Sequence, residues 1–225
     1  MMMKHAFTRA LIFFVVSGFV LASSTQAADL SLSFMGGLKG GLGFRGGLLA
    51  KGFAKGFPFG VEIGAGYAQQ DPGNAAGARR VFINDATNGT PEQSGRVWDL
   101  RMDILYDLEV LREADVHAYG GVRYSMFTGN FVYVGGNEDF DVLTNQWGIG
   151  AGVRSQFSMS QRLGLVISAG LDYYFDAGMK GHDTTYEPDG DDVNPRQGYA
   201  FKDADAAINQ PKLQPVVMIG INYAL

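Results

Sequence analysis

The chain of 225 residues contains no cysteine. That excludes a disulfide framework, and it excludes a lipid-anchored N-terminal cysteine. Long apolar runs are missing as well. Beyond residue 22 no apolar segment approaches 18 residues, so the remainder of the chain holds no candidate for a helical membrane span. Basic residues are in the minority, with 18 Lys and Arg against 23 Asp and Glu. An acidic chain is a poor match to a nucleic-acid binder that works by phosphate neutralisation.

The first residues read as a processing signal. Lys4 and Arg9 form a short basic segment, "ALIFFVVSGFVLA" (10–22) is apolar, and "SSTQA" offers a small-residue cleavage site after Ala27. The apolar stretch is too short for a comfortable helical span. The expected organisation is a signal peptide over 1–27 and one exported domain over 28–225. Cleavage would take the formal net charge from −5 to −7, because two basic residues and no acidic one leave with the signal.

What the chain does have is glycine, 32 residues of it, and period-two alternation. Between 95 and 109, Trp98, Leu100, Met102, Ile104, Tyr106 and Leu108 occupy the even positions. Asp99, Arg101, Asp103, Leu105 and Asp107 occupy the odd ones, with Val97 set aside. The scheme recurs over 116–126, 142–157 and 163–175, and again in the terminal "PVVMIGINYAL" (215–225). These strands have membrane-spanning length rather than the usual five or six residues. Links at 110–115 and 159–162 are tight. Those at 70–94 and 179–212 are long and polar, and 135–140 caps a hairpin expected to extend beyond the membrane. Short turns on one rim and long loops on the other match an outer-membrane barrel.

"GVEIGAGYAQQ" (60–70) is a strand leading outward into a long loop, so 28–56 must supply two more for an even count. They are placed at 33–44 and 46–55, the first with Leu38, Leu42 and Phe44 on one face and Lys39 on the other. A rival scheme merges 46–69 into one strand and recruits "RRVFIN" (79–84) as another. Both give an all-β, closed, antiparallel, up-and-down transmembrane barrel of eight strands.

Alternation alone permits an inside-apolar soluble barrel around a ligand or an outside-apolar barrel in lipid. The second is expected. The polar face combines many glycines with charges of both signs, which suits the narrow interior of an eight-stranded barrel. The apolar face is nearly charge-free, with aromatics toward strand ends. Glu62, Asp99, Arg101, Asp103, Arg123, Arg154 and Asp172 are therefore expected to pair across the lumen, since an unpaired buried charge is costly.

"GLKGGLGF", "GVEIGAGYAQQ" and "WDLRMDILYDL" together resemble the PorT-like, porin-family outer-membrane barrel domain of Gram-negative bacteria. The resemblance implies an outer-membrane location, contact with membrane lipid and lipopolysaccharide, and handling by the barrel-assembly machinery. The chain's end resembles the signal that machinery reads: Tyr223 occupies the aromatic position, and Leu225 stands where a terminal Phe is usual. No peptidoglycan-binding domain is expected after the barrel.

Little in the sequence suggests catalysis. Beyond the signal the histidines are His117 and His182. Ser125 lies eight residues from His117 on one strand, roughly 26 Å away, too far for a dyad. His182 sits beside Asp183, Thr184 and Thr185 in a polar loop, where solvation is the default. Asp189, Asp191, Asp192 and Asn194 could offer oxygen ligands to a hard cation, without EF-hand spacing. The glycines of 36–47 lack the helix and Lys-Ser/Thr of a phosphate cradle. The expectation is a monomeric, non-catalytic envelope protein without cofactor or nucleic-acid partner, acting structurally or through its outer loops. The alternatives are a narrow porin-like channel for small solutes, a secreted ligand-binding barrel and a lipid-modifying enzyme.

Overall fold

The computed structural model describes residues 29–53, 57–108, 110–111 and 114–225. The expected signal peptide and cleavage site, and residues 54–55 of the second expected strand, lie outside the described residues.

Eight strands close a barrel: β1 (Asp29–Lys39), β2 (Leu42–Lys51), β3 (Phe59–Gln69), β4 (Thr90–Leu108), β5 (Asp115–Val134), β6 (Asp139–Ser158), β7 (Leu163–Tyr174) and, after two short strands described below, β10 (Leu213–Ala224). Each pairs antiparallel with its neighbour in the chain. β10 then pairs with both β7 and β1, with Ser31 opposite Ala224 and Lys39 opposite Val216, and this seam closes the ring.

The N-terminal hairpin differs from the expected strands at 33–44 and 46–55. Gly40 adopts a φ of +64, a conformation costly for side-chain-bearing residues, and the Gly40–Gly41 pair turns the chain. Leu38 and Leu42 do face the same way, but as register partners on two strands. The rival placement fails too: "RRVFIN" belongs mainly to a helix, α1 (Ala75–Phe82), whose N-terminus is capped by Asn74 Oδ1 accepting from Gly77 N at 2.8 Å.

Which face is outside is settled along β4. Trp98, Leu100 and Met102 are 48, 50 and 38% exposed, while Asp99, Arg101 and Asp103 are 3, 5 and 1% exposed. The apolar set therefore covers the outside of the barrel and the charges fill its inside. On the β2–β4 side, aromatic contacts mark both ends of this surface: Phe44–Tyr67 (5.5 Å) and Tyr67–Trp98 (5.0 Å) at one level, Phe57–Phe59 and Phe59–Tyr106 (both 5.4 Å) at the other. Trp98 and Tyr106 are eight residues apart, about 27 Å along a strand and about 20 Å vertically at a ~40° tilt, close to the ~25 Å apolar band of a membrane barrel.

Above the Trp98 level the pattern inverts. β4, β5 and β6 run on past the ends of their neighbours, and here the inward residues are apolar: Val97, Phe127, Phe131, Tyr133, Phe140 and Val142. Outward residues such as Arg96, Asn130 and Asp141 are polar. Val97, inward like Asp99, is the first residue of β4 to join this apolar core. The extended sheet is covered by α1, by the hairpin of β8 (Met179–Gly181) and β9 (Thr184–Tyr186), and by α2 (Phe201–Ala207), with β8 pairing on β6. The long polar segments expected at 70–94 and 179–212 thus form much of a folded cap, and 90–94 belongs to β4.

Candidate functional site: the charged lumen and its cap

Inward positions on β3, β4, β5, β6 and β7 bring all seven residues singled out from the sequence into one buried interior. Asp103 accepts from Arg101 at 2.6 Å and from Arg123 at 2.8 Å, and Arg123 also pairs with Asp172 at 2.7 Å. Lys39 pairs with Asp99 and lies 3.6 Å from Asp172. A second group forms lower in the barrel, where Arg154 donates to Glu62 at 2.6 Å and to Asn222 at 3.3 Å. There Ser33 also donates to Glu62 at 3.2 Å.

Space for these side chains comes from the glycines. Arg123 on β5 reaches Asp172 on β7 across β6, and a Cβ on Gly150 of β6 would lie 2.0 Å from Asp172 Oδ1 and 2.4 Å from Arg123 Nη2. Gly152 and Gly170 make the same allowance for the Tyr119 hydroxyl, whose ring carries the Arg101 guanidinium 5.3 Å from its centroid. The glycine face of the sequence is the negative of its charged side chains.

Two further cations fill the same interior. Lys39 completes the upper group. Arg45, on β2, is 3% exposed and reaches Met35 Sδ at 3.6 Å, and its Nε and Nη1 have no hydrogen-bond partners among the described residues. The expected strand already set Lys39 opposite the apolar face, and a turn recognised at Gly40–Gly41 would have put Arg45 on that inward phase as well. The lumen then holds five cations, Lys39, Arg45, Arg101, Arg123 and Arg154, against four carboxylates, so neutralisation is nearly complete.

Above the ion pairs come buried Ser125, Thr144 and Gln146, and then the apolar core of the cap. Phe131 stacks on Phe140 at 5.4 Å, and Phe82 meets Tyr186 at 5.4 Å. Tyr133 and Tyr186 donate their hydroxyls to carbonyls of α1, Ala75 O at 2.6 Å and Val81 O at 2.9 Å. Arg79 of α1 bonds Asn84 and Asn88 and packs over the Tyr133 ring at 4.4 Å. Helix, hairpin and strand tips are one packed unit seated over the mouth of the barrel.

The remaining residues of interest are dispersed. His117 lies at the opposite rim, bonded to Asp107 at 2.8 Å and to Lys51, and the buried hydroxyl of Ser125 has no hydrogen-bond partner among the described residues. His182 and Asp183 are an exposed pair at 3.0 Å, in which the imidazole holds the Asp183 carboxyl below its ordinary range. In the acidic loop, Asp189 accepts from Asp191 N and Asp192 from Glu187 N at 2.8 Å, so both carboxylates cap turns. Among the described residues no three His or acidic side chains converge as metal ligands. At the seam Tyr223 faces outward between Leu32 and Leu163, and Leu225 N donates to Leu30 O at 3.0 Å.

No protein-family model and no curated protein matches the chain. Solved structures do. A major outer membrane protein from Thermus thermophilus superposes with a TM-score of 0.72 at 27% identity, over 88% of this chain and 100% of that one. Neisserial surface protein A (TM-score 0.42, 10% identity, 90% and 100% covered) and Ail of Yersinia pestis (0.41, 12%, 88% and 97%) share too little geometry to add to that comparison. The chain is a closed antiparallel eight-stranded β-barrel of the kind found among outer-membrane proteins.

Proposed function

We propose that the protein is a monomeric, non-catalytic barrel of the bacterial outer membrane that holds a folded cap at the cell surface, in a structural or surface-interaction role. The observation that carries this reading is the closure of the interior at two levels. Ion pairs span the lumen, and above them a hydrophobic core sits over its mouth. A conduit would need a water-filled path, and a lipid-modifying enzyme would need a nucleophile, a base and an orienting group in reach of one another. The likeness to the Thermus outer-membrane protein supports the location. Surrounding lipid and lipopolysaccharide would be the barrel's contacts, and Tyr223 and Leu225 would be read by the assembly machinery.

The absence of native cysteine makes the orientation directly testable. Cysteine replaces Val193 in the cap or Met159 in the opposite turn, both exposed, and intact cells receive a membrane-impermeant maleimide. Val193→Cys should label at once and Met159→Cys only after the outer membrane is permeabilised. Equal labelling of both, or the reverse order, would overturn the reading.

A further inference from the structure

The outer wall of the barrel is not uniform around its circumference. On the β2–β3–β4 side, β3 ends at Gln69 while β4 continues upward, and a recess of about 870 Å³ opens at the step. This lies within the size range of small-ligand sites. Leu42, Gln69 and Arg96 form its lower edge, one outward row above the aromatic level of Phe44, Tyr67 and Trp98. The recess therefore stands at the height where lipid head groups meet the barrel.

Its lining has a definite chemistry. Beyond the end of β3, Gln93 and Ser94 of β4 present an edge to the recess without a strand partner. Asp71 Oδ1 accepts from Gly73 N and Gln93 Nε2, and Asp141 Oδ1 accepts from Asn130 Nδ2. Each carboxylate keeps its other oxygen available. Arg96 is the recess's cation, exposed, and makes no ion pair among the described residues. Two carboxylates against one guanidinium disfavour a head group with several phosphates. Amide, carboxylate and edge-backbone groups suit a ligand that both donates and accepts many hydrogen bonds, as sugar hydroxyls do.

Directly below, on the same strands, the lipid face is dented. The row Phe34, Gly46, Ala65, Leu100 has two small residues between two large ones, and Leu48 and Ile63 close the dent beneath. From Ala65 to Gln69 is four residues, about 14 Å along the strand, the reach from the upper part of an acyl chain to its head group. Tyr67 and Trp98 lie between the two.

The geometry points to a bound outer-leaflet glycolipid, with its sugar head in the step above β3 and one acyl chain in the dent at Gly46 and Ala65. This rests on the outer-membrane reading above, which orients the cap toward the glycan-bearing leaflet. Aromatic side chain, polar recess and apolar dent in register on three strands make the contact selective for one amphiphile over bulk lipid.

Trp98 reports the site. In a Trp147→Phe background it is the remaining tryptophan, and the protein is refolded into phosphatidylethanolamine vesicles containing a small mole fraction of brominated diglucosyl diacylglycerol or, in parallel, brominated phosphatidylethanolamine. The glycolipid should quench Trp98 about tenfold more effectively at equal mole fraction. Filling the dent with Gly46→Leu and Ala65→Leu should abolish the preference; a Cβ on Gly46 meets only Ser33 O at 3.9 Å, so the backbone there admits a side chain. Arg96→Ala with Gln69→Ala should weaken it from the head-group side. Equal quenching by the two lipids in the parent protein would overturn the inference, as would a preference that survives the dent-filling pair. Heat-modifiable migration of the same samples reports barrel insertion separately, so loss of selectivity in an inserted barrel refutes the lipid site while leaving the membrane reading intact.

Discussion

Gly150 and Gly46 offer a matched test of why this sequence spends so much glycine. Both are strand residues, yet Gly150 faces the lumen and Gly46 faces lipid. Gly150→Ala would place a methyl group 2.0 Å from Asp172 Oδ1 and 2.4 Å from Arg123 Nη2, inside their contact radii. Side-chain tips can move, but Asp103 already holds Arg123 from the other side, so the Arg123–Asp172 bond at 2.7 Å is what gives way. A hydrogen bond to a charged group contributes about 1.5–3 kcal/mol, so the folding equilibrium should fall roughly 10- to 150-fold. Asp172→Ala removes a partner outright and should cost more, about 3–5 kcal/mol, because Arg123 and Lys39 are left with reduced compensation in a buried site. Gly46→Ala should be neutral or slightly stabilising, since its new Cβ meets only Ser33 O at 3.9 Å and Gly is itself unfavourable within a strand. Reversible guanidinium unfolding in lipid vesicles, followed by tryptophan fluorescence, measures all three, with equal slopes required for the comparison. If Gly150→Ala unfolds within ~0.5 kcal/mol of the parent, outside the expected range, the steric account of the lumen glycines is wrong.

Other outcomes follow from the same structure. Phe131→Ala, in the fully buried stack with Phe140, should cost the cap about 3–5 kcal/mol. Trypsin should then cut within 70–89 and 175–212 while heat-modifiable migration of the barrel persists, so loss of both together would show that cap and barrel are one cooperative unit. Lowering the pH should loosen the tie between the two cap segments. Arg196 hydrogen-bonds Asp85 at 2.8 Å and holds its carboxyl below the ordinary aspartate range. A depressed pKa contributes stability that is complete above the unfolded value and is lost as pH falls through the folded one. Protease sensitivity of the cap should therefore rise across that acidic window in the parent and be flatter in Asp85→Asn; identical profiles would remove Asp85 from the explanation. His182→Ala should leave the cell's lipid profile unchanged by mass spectrometry, and an altered acylation pattern would reopen an enzymatic role.

The barrel is legible because lipid and lumen impose opposite chemistry on alternate residues, as Trp98-Asp99-Leu100-Arg101 shows in four letters. The same alternation locates strands from β3 through β7 and the closing β10. It fails in the first hairpin, where glycines occupy both faces and the phase of Leu38, Leu42 and Phe44 runs unbroken through the turn. The turn at Gly40–Gly41 therefore escapes notice, and with it the place of Arg45 in the lumen. The cap is hidden for a different reason. Its core draws on Val97, Phe127, Phe131, Phe140, Val81, Phe82 and Tyr186, residues scattered through strand tips and two loops. Each is ordinary alone, and only tertiary contact gathers them. Val97 and Leu105 are both apolar residues on the charged face of β4, and of the two only Val97 packs into the cap.

Ionic conductance of the purified protein in planar lipid bilayers tests the central claim most directly, that ion pairs and cap leave this barrel closed. Single insertions should show no steady current at moderate voltage. The triple variant Lys39→Ala, Asp103→Ala, Arg123→Ala, combined with deletion of residues 179–207, should open discrete steps if it folds, as its heat-modifiable migration will report. Steady, large single-channel currents from the unaltered protein would contradict the account.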